Sequence, residues 1–156
     1  MEKFIEYLQE AQKIIRVSDH LIYVSYPLIK DKKILLRVIE ELKKAIAFCI
    51  NAILQHDYLY KRVELSKNTK TNMQTFITKS APKYSISREE IKKILGLFEL
   101  VEKHRQSAME FLKDGKVVIL SQNMSSESLS TEKTKEFLEL SKTILRKTQN
   151  SLTDGG

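Results

Sequence analysis

The side chains best suited to proton transfer near neutral pH are three histidines, His20, His56 and His104, and the one thiol is Cys49. Arg16 and His20 are four residues apart and share a face if the segment is helical. An arginine so placed holds a phosphate while the imidazole moves a proton. Glu6 and Asp19 lie close in sequence and offer a plainer reading, in which these cations pair on a wet surface. His104 and Arg105 are adjacent, so they point to different sides of a helix and need an outside group to form a site. No His-x-x-x-His or Glu-x-x-His pair encodes a metal, and a composite site would have to recruit Asp57 or Glu102. Arg16, His20, His56, His104 and Arg105 are therefore a set of polar candidates with no catalytic role assigned, and no metal or cofactor is expected.

A second chemistry is better represented. Tyr58, Tyr60, Lys61 and Arg62 interleave rings with cations, the mixture that stacks bases and attracts phosphates. The same tyrosines suit helix contacts with their hydroxyls in water. They open the only strongly basic stretch of the chain. Residues 58–93 carry nine basic side chains (Lys61, Arg62, Lys67, Lys70, Lys79, Lys83, Arg88, Lys92 and Lys93) against three acidic ones. Residues 1–57 hold nine against eight, and residues 94–156 nine against nine, so the formal charge of +7 is local. If these cations converge they form a polyanion site with strong salt dependence and little sequence preference; dispersed, they only solvate the surface.

The elements that must position these residues are helical. Phe4, Leu8, Ala11, Ile15, Leu21, Ile22 and Val24 describe an amphipathic helix with at most one interruption, which Pro27 should end. Asp31 caps a second helix, whose apolar stripe of Leu35, Val38, Leu42, Ala45, Ile46, Cys49 and Ile53 predicts a run to about Leu65. His56 continues that stripe. After a polar break at Asn68 to Asn72, a short helix around Met73, Phe76 and Ile77 should stop before Pro82. Ser87 and Glu90 have the spacing of a capping box, and the apolar positions from Ile91 to Leu112 predict a long helix that Asp114-Gly115 terminates. Val117 to Leu120 reads as one extended segment, Ser121 to Ser130 as a polar linker, and a last helix begins near Ser130 or Thr131. The expected fold class is mainly α: an antiparallel bundle of about four long helices, with a short extra helix and one short extended segment. The bundle domain spans residues 1–149, and residues 150–156 are expected to form a flexible tail.

Composition agrees with one globular domain, at 42% hydrophobic and 30% charged residues with only 4 Gly and 2 Pro. A lone cysteine excludes an internal disulfide, and no apolar run is long enough for a membrane span. The Met1-Glu2-Lys3-Phe4 start lacks the form of a secretory signal, so a cytoplasmic protein is expected. Gly-rich phosphate loops, dinucleotide fingerprints, zinc fingers and serine-hydrolase elbows are absent.

The paired long helices at the start, the Tyr58 and Tyr60 end of the second and the small bundle size resemble the HEPN superfamily across residues 3–149. That resemblance implies a compact helical protein associated with nucleotidyltransferases or RNA-cleaving toxins. Its nuclease members place an arginine, then four to six intervening residues, then a histidine on a late helix, and act on RNA as dimers. Here Arg16-Val17-Ser18-Asp19-His20 has three intervening residues and lies in the first helix, and no arginine precedes His104 at that distance. The resemblance therefore implies a noncatalytic, partner-binding member. The leading expectation is a helical interaction module that binds a protein partner or a second copy of itself. The alternatives are a nucleic-acid-binding protein using residues 58–93 and an RNA-cleaving enzyme with an unusual site.

Overall fold

The computed structural model describes residues 3–154 and is mainly helical, with a small antiparallel sheet inserted between its last two long helices. Helix α1 (Lys3–His20) runs through a π turn (Leu21–Ser25) into α2 (Tyr26–Ile29), forming one long bent helix. Pro27 does not end it. The π turn shifts the backbone bonding pattern by one residue just upstream, and the proline falls in the first turn of α2, where its missing N–H costs nothing. Lys30, in the left-handed conformation, closes the segment by donating its backbone N–H to the Tyr26 carbonyl.

Helix α3 (Lys32–Leu59) starts where Asp31 accepts from the Lys33 N–H at 2.9 Å. It is the central element, packed by α1 along its length and also by the later long helices. Leu35, Val38, Ile39, Leu42, Ala45, Cys49, Ala52 and Ile53 are wholly buried. Burial pushes the Cys49 thiol up to about 12, which keeps it protonated and unreactive. The helix stops at Leu59, short of the expected Leu65, because Lys61 turns left-handed.

Asn68 caps α4 (Thr69–Thr75) by accepting from the Lys70 and Thr71 N–H groups. This helix too passes Pro82, through a π turn (Phe76–Ser80) and a 3-10 turn (Ala81–Tyr84). Proline stands in the first turn of the 3-10 segment, again a position that needs no donor. Phe76 drives into the core with no exposure.

Helix α5 (Arg88–Arg105) begins with the expected capping box: Ser87 Oγ accepts from the Glu90 N–H, and Glu90 Oε1 accepts from the Ser87 N–H. Lys147 donates to the same Glu90 oxygen at 2.6 Å, joining the last helix to this one. Burial pushes the Glu90 carboxyl up, but the hydrogen bonds from Lys147 and Ser87 outweigh it and hold the group below its ordinary value. A carboxyl lowered in the folded state adds stability above its unfolded pKa, and that stability is lost as pH falls through the lower folded value. Glu90→Gln is thus expected to lose less stability than the wild type between pH 7 and pH 3, measured by urea unfolding at each pH.

The chain leaves the helix at Arg105, not at Asp114. Met109–Lys113 is strand β1, paired antiparallel with β2 (Lys116–Leu120), and Asp114 and Gly115 form the tight turn between them. Both turn residues have positive φ, 54° and 75°, so Asp-Gly acts here as a hairpin signal and not as a helix stop. The polar stretch 121–130 supplies β3 (Ser126–Leu129), which pairs with the other edge of β2. The extended segment at Val117 to Leu120 thereby has partners on both sides. Val117, Ile119 and Leu129 point into the core. Helix α6 (Thr131–Asp154) packs on α3 and α1, burying Leu138 and Ile144. Its buried Thr134, Ser141 and Thr148 hydroxyls each donate to the carbonyl four residues back. The helix continues into the stretch expected as a tail and buries Leu152; Gly155 and Gly156 lie outside the described residues.

Candidate functional site

The end of α3 builds the site. The Tyr60 N–H bonds the His56 carbonyl at 3.2 Å, Lys61 N–H that of Tyr58 at 3.0 Å, and Arg62 N–H that of Asp57 at 2.8 Å. This closure forces Lys61 to φ 57°, a conformation that costs a non-glycine residue about 1 kcal/mol. Beyond it the chain is pinned by the buried Val63 and by a reciprocal pair, Ser66 N–H to Asn72 Oδ1 and Asn72 Nδ2 to the Ser66 carbonyl, each 2.8 Å. A groove of about 930 Å³ lies between this turn and the α4 segment. Its charged lining is Lys61, Arg62, Lys79 and Glu64: three cations against one carboxylate. Tyr58 borders it on one side, and Thr71 and Thr75 on the other.

A buried polar network underlies the groove. Asp57, with no exposure, accepts from Ser80 Oγ at 2.7 Å, Tyr84 Oη at 3.1 Å and Arg62 Nη1 at 3.3 Å. His56 Nδ1 lies 3.1 Å from the same Tyr84 oxygen. Burial raises the Tyr84 phenol well above its ordinary value, and the Asp57 charge adds to this, with Arg62 opposing. The network ties α3 to both turns that follow α4, so it fixes the distance between the groove walls. Its acid and base are spent inside the protein: His56 and Asp57 are too buried to meet a reactant in the groove.

The two tyrosines have different surroundings. The Tyr60 ring packs against His56 at 4.7 Å between centroids, and the Arg62 guanidinium sits 5.3 Å from its centre. Tyr58 is half exposed and makes no ring contact among the described residues. Arg62 is shared with Asp57, whereas Lys61 and Lys79 form no ion pair among the described residues.

The remaining candidates are spread out. Lys67, Lys70, Lys83 and Arg88 are exposed and do not line the groove. Lys92 and Lys93 lie on a separate furrow between α5 and α6, where Glu132, Glu136 and Glu139 offset Lys93 and its neighbour Lys135. Of the nine basic residues, Lys61, Arg62 and Lys79 therefore line the groove, Lys92 and Lys93 lie on the furrow, and four line neither. Arg16, His20 and Arg105 are exposed, and no hydrogen bond or ion pair joins them to one another or to His104. His104 places Nε2 2.8 Å from Glu40 and Nδ1 against Glu110, while Lys32 donates to the Glu110 carbonyl at 2.6 Å. That cluster pins β1 and the end of α5 to α3. Among the described residues no group of three His, Cys, Asp or Glu side chains is arranged to hold a metal ion, and no helix is long and apolar enough to cross a membrane.

Ser80 and Tyr84 were not among the candidates from sequence, and Asp57 was named there only as a possible recruit to a composite metal site. A signal was present: Asp57 lies four residues after Ile53, on the buried stripe of α3, where a carboxylate requires donors from elsewhere. Ser80 and Tyr84 are themselves four apart. The left-handed Lys61 gives a direct check on the cost of this turn. Lys61→Gly is expected to raise stability by about 0.5–1 kcal/mol in urea unfolding, because glycine accepts positive φ.

No protein-family model, curated protein or solved structure matches this chain.

Proposed function

We propose that this protein is a noncatalytic helical interaction module whose partner is an anionic macromolecule, held in the groove between the turn after α3 and α4. The observation that carries this reading is the pair of lysines, Lys61 and Lys79, lining one concave surface with no ion pair among the described residues. Cations left unpaired in a groove raise the local concentration of an anion and release counterions when it binds. The acid–base groups nearby are turned into the core, which favours binding over chemistry. The HEPN likeness belongs to the same proposal as kinship of architecture, without a transfer of residue roles.

The test is a fluorescence-anisotropy titration of labelled RNA at 25 to 200 mM salt. With two or three phosphate contacts, log K is expected to fall against log salt with a slope of about −2. The probe should remain intact on a denaturing gel. Absence of binding at 25 mM salt would overturn the reading.

One further surface favours a second reading. Val17, Val24, Leu28 and Ile29 are exposed along the far part of α1 and on α2, with Leu28 82% accessible. An apolar stretch of this kind suits a protein partner or self-association. Light scattering over a hundredfold concentration range tests it: a mass that rises with concentration and returns to the monomer in Leu28→Asp supports this reading, and a constant monomer mass rejects it.

A further inference from the structure

We infer that the groove takes single-stranded nucleic acid, with an unpaired base stacked on Tyr58 and flanking phosphates on Lys61 and Lys79; this rests on the anionic-partner reading above. The two tyrosines play different parts. Tyr60, though 53% exposed, does not line the groove, and its ring is already engaged by His56 and Arg62. Tyr58 borders the groove with about half its surface open and has no ring neighbour among the described residues.

An open aromatic face next to unpaired ammonium groups matches the two repeating parts of a nucleotide chain. The ring covers the face of a base, and each lysine meets a phosphate oxygen. Stacking tolerates any base, because every base has such a face, so sequence preference should be weak. Duplexes are disfavoured for a physical reason: their base faces are already covered by neighbouring base pairs, leaving Tyr58 nothing to stack on. The groove volume agrees, since about 930 Å³ falls in the range of sites that enclose small ligands, about 300–1,000 Å³. Such a site holds a short stretch of single strand and cannot follow the convex backbone of a duplex with so few cations.

The underlying surface is firm enough to give this selectivity. Tyr58 follows Asp57 directly, and Asp57 is fixed by hydrogen bonds from Ser80, Tyr84 and Arg62. Lys79 precedes Ser80, one of those donors. Both ends of the proposed contact are thus anchored one residue away from the same buried carboxylate.

The experiment compares four labelled or competing polyanions on the full chain at low salt: a 12-mer oligouridylate, the matching oligodeoxythymidylate, a 12-base-pair RNA duplex and inorganic polyphosphate. The single strands are expected to bind at least tenfold more tightly than the duplex. Tyr58→Ala should weaken oligouridylate binding about tenfold, Tyr58→Phe should retain it, and polyphosphate affinity should stay unchanged in both variants. Circular dichroism confirms folding, which this exposed position should not disturb. Equal affinity for duplex and single strand, or unchanged binding in Tyr58→Ala, overturns the stacking proposal. If binding in that case is still lost in Lys61→Glu/Lys79→Glu, the anionic groove stands without base recognition. If the wild type binds none of the four, the underlying reading fails as well.

Discussion

Asp57→Ala is expected to destabilise the protein by about 3–5 kcal/mol, the largest effect of any polar substitution in the chain. The carboxylate is the common acceptor for Ser80, Tyr84 and Arg62. Removing it leaves two buried hydroxyls without their acceptor, each costing about 1–3 kcal/mol when left unsatisfied. The contribution from Arg62 is smaller, since its side chain is 39% exposed and is solvated once released. A small domain has about 5–15 kcal/mol of stability in all, so the variant should lose a large share of it. Asp57→Asn keeps the volume and one carbonyl acceptor, and is expected to lose about half as much. Urea unfolding followed by circular dichroism reads both. A loss below about 1 kcal/mol for Asp57→Ala would mean that the network is incidental to the packing of α4 on α3.

Charge reversal in the groove gives the largest expected effect on binding. In Lys61→Glu/Lys79→Glu, two attractions become two repulsions while stability should change by less than about 0.5 kcal/mol, because both side chains are exposed. Each exposed charge pair at contact is worth about 1 kcal/mol in water. Inverting both should lower affinity for an anionic strand by at least about 100-fold and flatten the salt dependence. The matched control is Lys92→Glu/Lys93→Glu. These lysines come from the same basic stretch of sequence but lie on the α5–α6 furrow, so less than about a twofold change is expected. Equal losses in both double variants would show that overall charge, and not the groove, governs binding. Lys61→Gly adds a separation of its own: it removes one cation while relieving the left-handed strain, so affinity should fall as stability rises.

Much of the architecture was legible in the sequence because burial is written in helical periodicity. The stripe from Leu35 to Ile53 specified α3, Asp31 its start, and Ser87 with Glu90 the start of α5. What sequence obscured came from four physical sources. Proline was taken to end helices at Pro27 and Pro82, but a π turn upstream of each lets the chain continue with proline where no donor is needed. Asp114-Gly115 serves equally as a helix stop and as a hairpin turn, and the choice depends on whether Val117 to Leu120 finds partner strands. It finds two, one of them inside a stretch too rich in serine to read as a strand. The positive charge of residues 58–93 was visible, but its dispersal, with only three of nine cations in the groove, depends on the path of the chain after Leu59. Asp57 lay on the core stripe and signalled a buried network, while its donors came from residues 62, 80 and 84, which no local pattern joins to it.

Backbone-amide NMR of the protein titrated with oligouridylate tests the central claim most directly, because it locates the contact as well as detecting it. Binding in the groove predicts shifts concentrated in Tyr58 to Ser66, Thr71, Thr75 and Lys79, with α1, α2 and the α5–α6 furrow unmoved. Shifts centred on Val17 to Ile29 or on Lys92 and Lys93, with the groove amides unchanged, would contradict it.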